Sequence, residues 1–477
     1  MANSPAARRT KIVATIGPAT QEPEVLTEVL RAGVDVTRLN LAHGLTHTQR
    51  ELVPSIRAIA AELGRVVGIL ADLPGPKMRT GPIEEGVVSI EEGHRLLLTH
   101  EDVPGTAERV STTVDGLAKI VGPGDEIFFG DGSIVVTVVS SHGSEVVTEV
   151  KRGGLLRSRK GMHVPGSERK VEAFTQDDRD ALEFACSFGV DFVGLSFVRD
   201  ADDIRRARKY AAAHRHIPSF VAKIETRAAV DNLAEIVREA DAVMVARGDL
   251  GIQMPLRNMP LLQKEIISTC NRAGKPVITA TEMLESMTQS PLPTRAEVSD
   301  VANAVIDGTD AVMLSGETAV GEYPVETVKA MADIAVSAET LEAQQVEVTP
   351  ALDDDPVSWA IARAAVHAAE DLNVSAILCP TRSGATARRV AAFRPRMPVL
   401  GLAHREETAG LLALIWGVVP FVAPFLPEGK VATEAVERAV AVARRANLVH
   451  SGELVAVVAG GPEPRAGSTD FVRIVAA

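Results

Sequence analysis

The chain has 477 residues, 46% of them hydrophobic and 24% charged, which suggests about three domains with a large core and excludes a single small module or a disordered chain. Fifty basic against 63 acidic residues leave a formal charge of −13, and only 3% of residues are aromatic, so a nucleic-acid partner is not expected: the field repels phosphate backbones and few rings can stack on bases. An anionic ligand must then be met by a few cations placed locally.

At the N-terminus, Arg8, Arg9 and Lys11 precede too few apolar residues for a signal peptide, and Cys186, Cys270 and Cys379 stand far apart, so a reduced, cytoplasmic chain is expected. From residue 11 onward, short β-branched runs alternate with longer amphipathic stretches. The first runs are 11–17 (KIVATIG), 35–43 (DVTRLNLAH) and 66–75 (VVGILADLPG), with a helix over 22–32 capped by Gly33. Residues 78–171 differ: alternating segments (RLLLTH, EIFFGDGSIVVTVVS, EVVTEV) broken by Gly and Pro read as a small antiparallel β domain. The first rhythm resumes with runs 191–199, 220–226, 242–249, 276–283 and 311–318, separated by helical patterns such as 175–188, 261–273 and 295–307. Eight apolar runs fit a closed (β/α)8 TIM barrel, over 1–77 and 172–345, better than an open doubly wound sheet. The β segment, 78–171, is then an inserted β-barrel lid domain over the C-terminal rim, where barrel active sites sit.

An acidic linker (EVTPALDDDP, 347–356) leads into a C-terminal open α/β domain over 346–477, with helices at 358–372 and 385–393 and strands at 376–380, 398–402, 454–460 and 471–477. Its loop 381–386 joins strand to helix, so the hydroxyls and N–H groups around Thr381, Ser383, Gly384 and Thr386, with Arg382 beside them, offer an anion cradle or else a plain helix cap. The glycine-rich stretch 460–469 could close over the same place. Segment 408–427 carries no charge and nearly reaches bilayer length. Gly417, Pro420, Pro424 and Pro427 make it read instead as a helix ending at Gly417 followed by a buried strand, and no membrane partner is expected.

Side chains i and i+2 share one face of a strand. The C-terminal ends of the runs therefore present Arg38, Asn40 and Ala42; Asp72; Lys223 and Glu225; Arg247, Gly248 and Asp249; Thr281; and Ser315 with Glu317. Glu225 and Asp249, from adjacent strands in oxygen-only company, suit a hard divalent ion such as Mg2+ or Mn2+ over zinc. Arg38 and Lys223 beside such an ion would favour a phosphate or a developing enolate oxygen. Interior salt bridges among Arg38, Lys223, Glu225 and Asp249 that merely close the rim are the alternative. No GxxxxGK[ST] string occurs, so a nucleotide would not be held by a Walker loop. Gly248 and Gly251 would let the RGDLG backbone approach a carboxylate, although a simple strand-to-helix turn uses glycines in the same way.

The blocks TKIVATIGPAT, RLNLAHG, KIETRAAV, MVARGDLG, ATEMLESM and SDVANAVIDGTDAVMLSGETAVGEYP resemble the signature blocks of the pyruvate kinase family, in that family's order. The resemblance covers nearly the whole chain. It implies transfer of the phosphoryl group of phosphoenolpyruvate to ADP, giving pyruvate and ATP in the last step of glycolysis, by a homotetramer. It further implies that Glu225 and Asp249 hold the divalent ion, that Lys223 neutralises the moving phosphoryl group and the enolate oxygen, and that Arg38 grips the phosphate. Gly248, Asp249 and Thr281 would bind the substrate carboxylate, with Thr281 and Ser315 in the water network that protonates the enolate. Asn40, His43, Arg79 and Lys160 match positions that meet ADP and its metal. The loop Thr381, Arg382, Ser383, Gly384, Thr386 matches the phosphate site of a sugar-phosphate or nucleotide effector.

The departures cluster at the family's monovalent-cation site. Asn40 and Asp72 remain, but Ala42 stands where the family supplies a serine oxygen, Leu73 and Pro74 stand where K+-requiring members carry Thr and Lys, and Lys77 replaces a Glu. Members with this lysine resemble the chain, and the resemblance implies that its ammonium takes the place of K+, so activity without K+ is expected. The alternative is an exposed Lys77 with K+ still bound. Glu282 stands where many members have Gln. Two other classes remain open at this level: a Mg2+-dependent lyase or aldolase using Arg38, Glu225 and Asp249 without a nucleotide, and a phosphometabolite sensor that binds only through 381–386.

Overall fold

The computed structural model describes residues 8–42, 47–76, 78–114, 116–130, 132–165, 174–341, 347–350, 354–423, 432–460 (side chains from 436) and 469–477. His43, Lys77, most of the stretch 460–469 and the boundaries proposed at 77, 171–172 and 345–346 lie outside the described residues.

Eight parallel strands close into a barrel. In chain order they are Lys11–Ile16, Val36–Asn40, Gly68–Asp72, Phe192–Leu195, Ser219–Ile224, Ala242–Ala246, Val277–Ala280 and Ala311–Leu314, and the last pairs with the first. Most of their residues are buried on both faces, the outer face against helices and the inner against the opposite strands. Helix starts follow the chemistry of the orphaned N–H groups. Thr175 with Asp178 and Thr294 with Glu297 each form a reciprocal capping box at the starts of Gln176–Ser187 and Arg295–Ile306.

All eight strands end earlier than the expected runs, and two of these ends matter most for the rim. The second strand stops at Asn40, leaving Ala42 beyond it, and the sixth stops at Ala246, after which Arg247–Gln253 turns at once into a helix. Arg247, Gly248 and Asp249 therefore sit in a helical first turn rather than at a strand end.

The insert is a seven-stranded sheet running from Met78–Arg79 through Gly161–His163, Glu126–Phe129, Ile134–His142, Glu145–Arg152 and Arg95–Thr99 to Arg109–Ser111. Its two edges meet: Thr80 bridges Thr112, and Gly81 N donates to Ser111 O at 2.7 Å. The sheet thereby curls around its own apolar core, which includes Leu96, Ile127 and Val146. It is not wholly antiparallel as expected, because Arg95–Thr99 and Arg109–Ser111 run parallel.

The C-terminal sheet has the order Val418–Val422, Val399–Ala403, Ala376–Thr381, Leu454–Ala459, Phe471–Ala476, with only the last strand antiparallel. The uncharged segment corrects the sequence expectation twice. Its helix, Glu406–Leu412, ends before Gly417, and Val418–Val422 is a half-buried edge strand rather than a buried one. Pro420 explains the second point, since a residue without an N–H is tolerated where no neighbour needs that donor. No helix among the described residues is long and apolar enough to cross a membrane.

The apolar residues of this segment have another destination. Leu411, Ala413 and Leu414 join Val13, Val36, Leu70, Phe192 and Val221 of the barrel lumen in one cluster, closing its N-terminal end from below. The approach is tight: a Cβ on Gly410 would lie 2.1 Å from Asp191 Oδ1. Polar ties surround the plug, with Lys11 Nζ donating to Val418 O at 2.6 Å and Arg394 paired with Asp310 at 3.2 Å.

Candidate active site

The opposite, C-terminal end of the barrel gathers most of the expected residues. Arg38, on the second strand, donates through Nε to Asp72 Oδ2 at 2.8 Å and through Nη1 to Thr15 Oγ1 at 2.9 Å. Asp72 ends the third strand and also meets Lys223 Nζ at 3.0 Å. Lys223 in turn donates to Ser196 Oγ at 2.8 Å and pairs with Glu225 Oε1 at 2.9 Å. Glu225 Oε2 accepts from Phe197 N at 2.7 Å. Arg38, Asp72, Lys223 and Glu225 thus form one chain of ion pairs, and Asp72, Lys223 and Glu225 are at most 5% exposed.

Such burial is costly for ions unless each is paired. Burial works against the charge on Lys223, but the carboxylates of Asp72 and Glu225 outweigh it and hold its pKa above the ordinary lysine range. Glu225 is pushed the other way from a normal carboxylate: burial raises its pKa, and the negative charges of Asp249 and Asp72 add to the rise against the pull of Lys223. Asp249 is therefore an electrostatic neighbour of Glu225 and Lys223, and it is more open to solvent, with a side chain 32% exposed. No cluster of three or more His, Cys, Asp or Glu side chains at metal-binding spacing occurs among the described residues. Protein donors for a divalent ion would be the carboxylate oxygens of Glu225 and Asp249, a set that suits a hard cation whose other ligands are water or substrate oxygens.

Thr281 follows the seventh strand in a left-handed conformation, φ 66°, and Glu282 continues it at φ 52°. A β-branched residue there is strained by about 1–3 kcal/mol and persists only where its surroundings over-determine it. Arg247 supplies that constraint. Its guanidinium reaches the carbonyls of Ala280 at 3.2 Å, Thr281 at 2.5 Å and Glu282 at 3.2 Å, and is itself held by Asp300 at 2.7 Å. Thr281 Oγ1 accepts from Gly248 N at 2.9 Å, so two groups expected to take a substrate carboxylate face each other. Ser315 Oγ is buried and makes no hydrogen bond among the described residues. Glu317, expected beside it at the rim, is a structural brace: it accepts from Ser315 N at 2.7 Å and Leu284 N at 3.1 Å.

The insert reaches this rim. His163 Nε2 lies 3.9 Å from Asp249 Oδ1, and its ring is 6.4 Å from that of Phe197. Arg79 and Gly161 are paired across neighbouring strands of the insert, which brings Lys160 next to Arg79. Asn40 Oδ1 accepts from Ala42 N at 3.1 Å, Ala42 has no side-chain oxygen, and Leu73 is buried. In the distant C-terminal loop, Thr381 Oγ1 accepts from Gly384 N at 2.9 Å and Thr386 Oγ1 bonds Thr469 Oγ1 at 2.8 Å. Thr381 thus closes the loop and Thr386 ties it to Thr469, the helix Ala385–Ala392 has no side-chain cap at Gly384, and Arg382 and Ser383 are exposed.

Sequence reasoning missed Thr15 and Ser196, the hydroxyl partners of Arg38 and Lys223, although both stand at ends of expected runs and the same strand-end rule reaches them. It also missed the Arg247–Asp300 clamp and His163, for which no local signal exists.

Comparison with known proteins agrees with this geometry. A family described as "Pyruvate kinase, barrel domain" matches residues 7–328, and one described as "Pyruvate kinase, alpha/beta domain" matches 359–475. A curated protein named pyruvate kinase from Geobacillus stearothermophilus is 42% identical over 473 residues, covering 98% of this chain and 80% of its own length. Another of that name, from Staphylococcus saprophyticus, is 40% identical over 473 residues with the same coverage. A crystal structure of a pyruvate kinase from Cryptosporidium parvum superposes with a TM-score of 0.88 at 34% identity, covering 99% of this chain and 97% of that one.

Proposed function

The chain belongs to the pyruvate kinase family and is a phosphotransferase, and from that premise we propose that its barrel rim moves the phosphoryl group of phosphoenolpyruvate to ADP. The observation that carries the reading is the buried Arg38–Asp72–Lys223–Glu225 chain beside Asp249. Lys223 holds its proton firmly and acts as a fixed positive charge for the phosphoryl group in flight and for the enolate oxygen left behind. Arg38, oriented by Asp72 and Thr15, directs its remaining donors at the phosphate. Glu225 and Asp249 would hold Mg2+ or Mn2+: the negative charge of Asp249 raises the cost of ionising Glu225, a repulsion a cation would relieve. When bound, the ion supplies positive charge to oxygens of the substrate.

Thr281 and Gly248 receive the substrate carboxylate by exchanging their mutual bond for bonds to it, with Asp249 alongside. The unpartnered hydroxyl of Ser315 supports its place with Thr281 in the water network that returns a proton to the enolate; a buried hydroxyl left unsatisfied costs about 1–3 kcal/mol. Asn40, His43, Arg79 and Lys160 serve ADP, and the approach of His163 to Asp249 supports closure of the insert over the rim. An effector phosphate at 381–386 would meet the exposed Arg382 and Ser383 first. A cytoplasmic homotetramer completes the reading, and light scattering with and without sugar phosphates tests the assembly.

Mixing the protein with phosphoenolpyruvate, ADP and Mg2+ and following pyruvate is the direct test. Nucleotide-dependent pyruvate formation is expected; pyruvate without ADP would point to a lyase, and none at all to a sensor. We further propose that K+ is dispensable. Ala42 lacks the side-chain oxygen that a serine would give a K+ ion, and Asp72 is already shared by two cations. Initial rates in tetramethylammonium buffer should rise by less than about tenfold on adding KCl, and a larger stimulation would reject the proposal.

A further inference from the structure

The ammonium of Lys223 is held by neighbours of two kinds. Asp72 Oδ1 at 3.0 Å and Glu225 Oε1 at 2.9 Å attract it as charges, and attraction between charges fixes distance better than direction. A hydrogen bond is directional, and the one to Ser196 Oγ, at 2.8 Å, is shorter than that to Asp72 Oδ2, at 3.4 Å. A serine hydroxyl has one proton to give, and Ser196 gives it to the carbonyl of Leu73 at 2.8 Å. Its oxygen is therefore left to accept from the ammonium, in a place set by Leu73.

Leu73 opens the passage by which the chain leaves the third strand for the insert. Its N–H donates to Gly194 O at 3.0 Å, so Leu73 is tied to the segment 194–196 through both its N–H and its carbonyl. Two residues on, Gly75 has φ 66°, and a Cβ there would lie 2.6 Å from Cβ of Ser196 and 3.0 Å from Cδ2 of Phe197. The outgoing backbone rests directly on this pair. Gly75 N donates to Asp178 Oδ1 at 2.8 Å. The other oxygen of that carboxylate accepts from Thr175 N at 2.9 Å and Thr175 Oγ1 at 2.8 Å, where the chain has come back from the insert. A carboxylate only 1% exposed thus clasps both passages between barrel and insert. Phe197 completes the arrangement: its N–H donates to Glu225 Oε2 at 2.7 Å from a backbone held at φ 55°, a strained conformation that persists where its surroundings over-determine it.

We infer that Ser196 is a positioning residue for Lys223: it sets the direction of the ammonium and keeps it in register with the outgoing passage 73–75, which Asp178 secures. Both residues act through Lys223. The seat of the insert on the barrel and the place of the charge that meets the phosphoryl group are then one setting, transmitted from Asp178 to Gly75 and Leu73, and from Leu73 through Ser196 to Lys223. The inference rests on the reading of Lys223 as the fixed positive charge of phosphoryl transfer.

Steady-state rates of pyruvate formation by the full chain, melting temperatures and amide hydrogen exchange over residues 70–76 test this together. Ser196→Ala should lower kcat by about ten- to a hundredfold and keep KM for phosphoenolpyruvate and ADP within about threefold. Its melting temperature should move by less than about 5 °C, and exchange of the Gly75 amide should quicken. Ser196→Cys, close in volume but a weak acceptor, probes the same hydrogen bond if the alanine variant folds poorly, with an expected loss of at least about threefold. Asp178→Asn, which removes no partner of Lys223, should lower kcat by about three- to tenfold, and adding it to Ser196→Ala should cost less than about twofold more, because the two act in series. Lys223→Met is the control for the underlying reading: turnover within about tenfold of wild type would remove Lys223 from its role, and the inference with it. With that control inactive, the inference alone is overturned if either Ser196 variant turns over within about threefold of wild type, if the loss lies in KM, if exchange at Gly75 is unchanged, or if the Ser196 and Asp178 losses multiply.

Discussion

Buried charges gather at both ends of the barrel, and the two clusters are built differently. At the N-terminal end, Asp35 pairs with Arg8 at 2.9 Å and accepts from Ile12 N at 2.9 Å, while Arg8 also donates to Gly33 O at 2.5 Å and Arg65 to Val34 O at 3.0 Å. Backbone groups there consume the ions' hydrogen-bonding capacity. At the C-terminal end the ions are paired mostly with one another, Thr281 is held in a strained conformation, and Ser315 Oγ has no partner among the described residues. Asp35 and Glu225 record the contrast, although burial also raises the pKa of Asp191 and Asp310 at the N-terminal end. Burial acts to raise the pKa of Asp35, but Arg8, Lys11 and Arg65 outweigh it and hold it below the usual range, whereas Glu225 is pushed above. A charge cluster closed off by backbone is a fastening. One left with strain and spare capacity is prepared for a ligand.

Lys223→Met breaks the comparison most severely. Turnover should fall about a thousandfold or more, roughly 4 kcal/mol of transition-state stabilisation. The melting temperature should move little, because Arg38 still holds Asp72 and Glu225, already inclined to protonate, can take up a proton. A loss of turnover under tenfold would remove Lys223 from its role. Asp35→Asn should do the reverse, costing about 3–5 kcal/mol of stability by stranding Arg8 and Arg65 while turnover per folded molecule is kept; denaturant titration beside a rate assay separates the two.

The pH dependence sharpens the same contrast. Because the pKa of Asp35 is lowered on folding, its stabilisation is present above the unfolded value of about 3.9 and is lost as pH falls through the folded one. The deficit of Asp35→Asn should therefore be full near neutrality and shrink below about pH 4. Glu225 has the opposite sign: its raised pKa costs stability near neutrality, and the cost is relieved as pH falls through the folded value. Glu225→Gln should thus gain stability over wild type near neutrality and lose that advantage in acid. Melting curves of the three proteins across this range decide it. The smallest stability effect is expected for Thr281→Gly. Relief of the left-handed strain and the extra freedom of the unfolded chain nearly cancel, leaving a change within about 1 kcal/mol, while loss of the hydroxyl lowers turnover. A stability gain well above that would mean that more strain is stored at Thr281 than its backbone indicates.

Much of the rim was legible in the sequence, because strand periodicity alone aligns Arg38 with Asn40 and Lys223 with Glu225 once the runs are recognised. Asp249 was legible as a participant but not as a helical residue, since the turn after Ala246 depends on Arg247 being anchored far along the chain, by Asp300 and the carbonyls that follow Val277–Ala280. The backbone of Thr281 was invisible for the same reason: its conformation is imposed by tertiary hydrogen bonds against local preference. His163 reaches Asp249 only because the insert curls over the rim, which no periodicity encodes. In the C-terminal part, strand order and edges decide burial, so Val418–Val422 could be recognised as a strand but not as an outer one.

The plug formed by Leu411, Ala413 and Leu414 has a consequence for the chain's autonomy. These side chains supply the floor of the lumen, so residues 1–345 expressed alone would present a greasy opening to water where the intact protein has a sealed base. The C-terminal part is in this sense the bottom of the catalytic vessel, seated against the lower ends of the staves whose upper ends carry Arg38, Asp72 and Lys223.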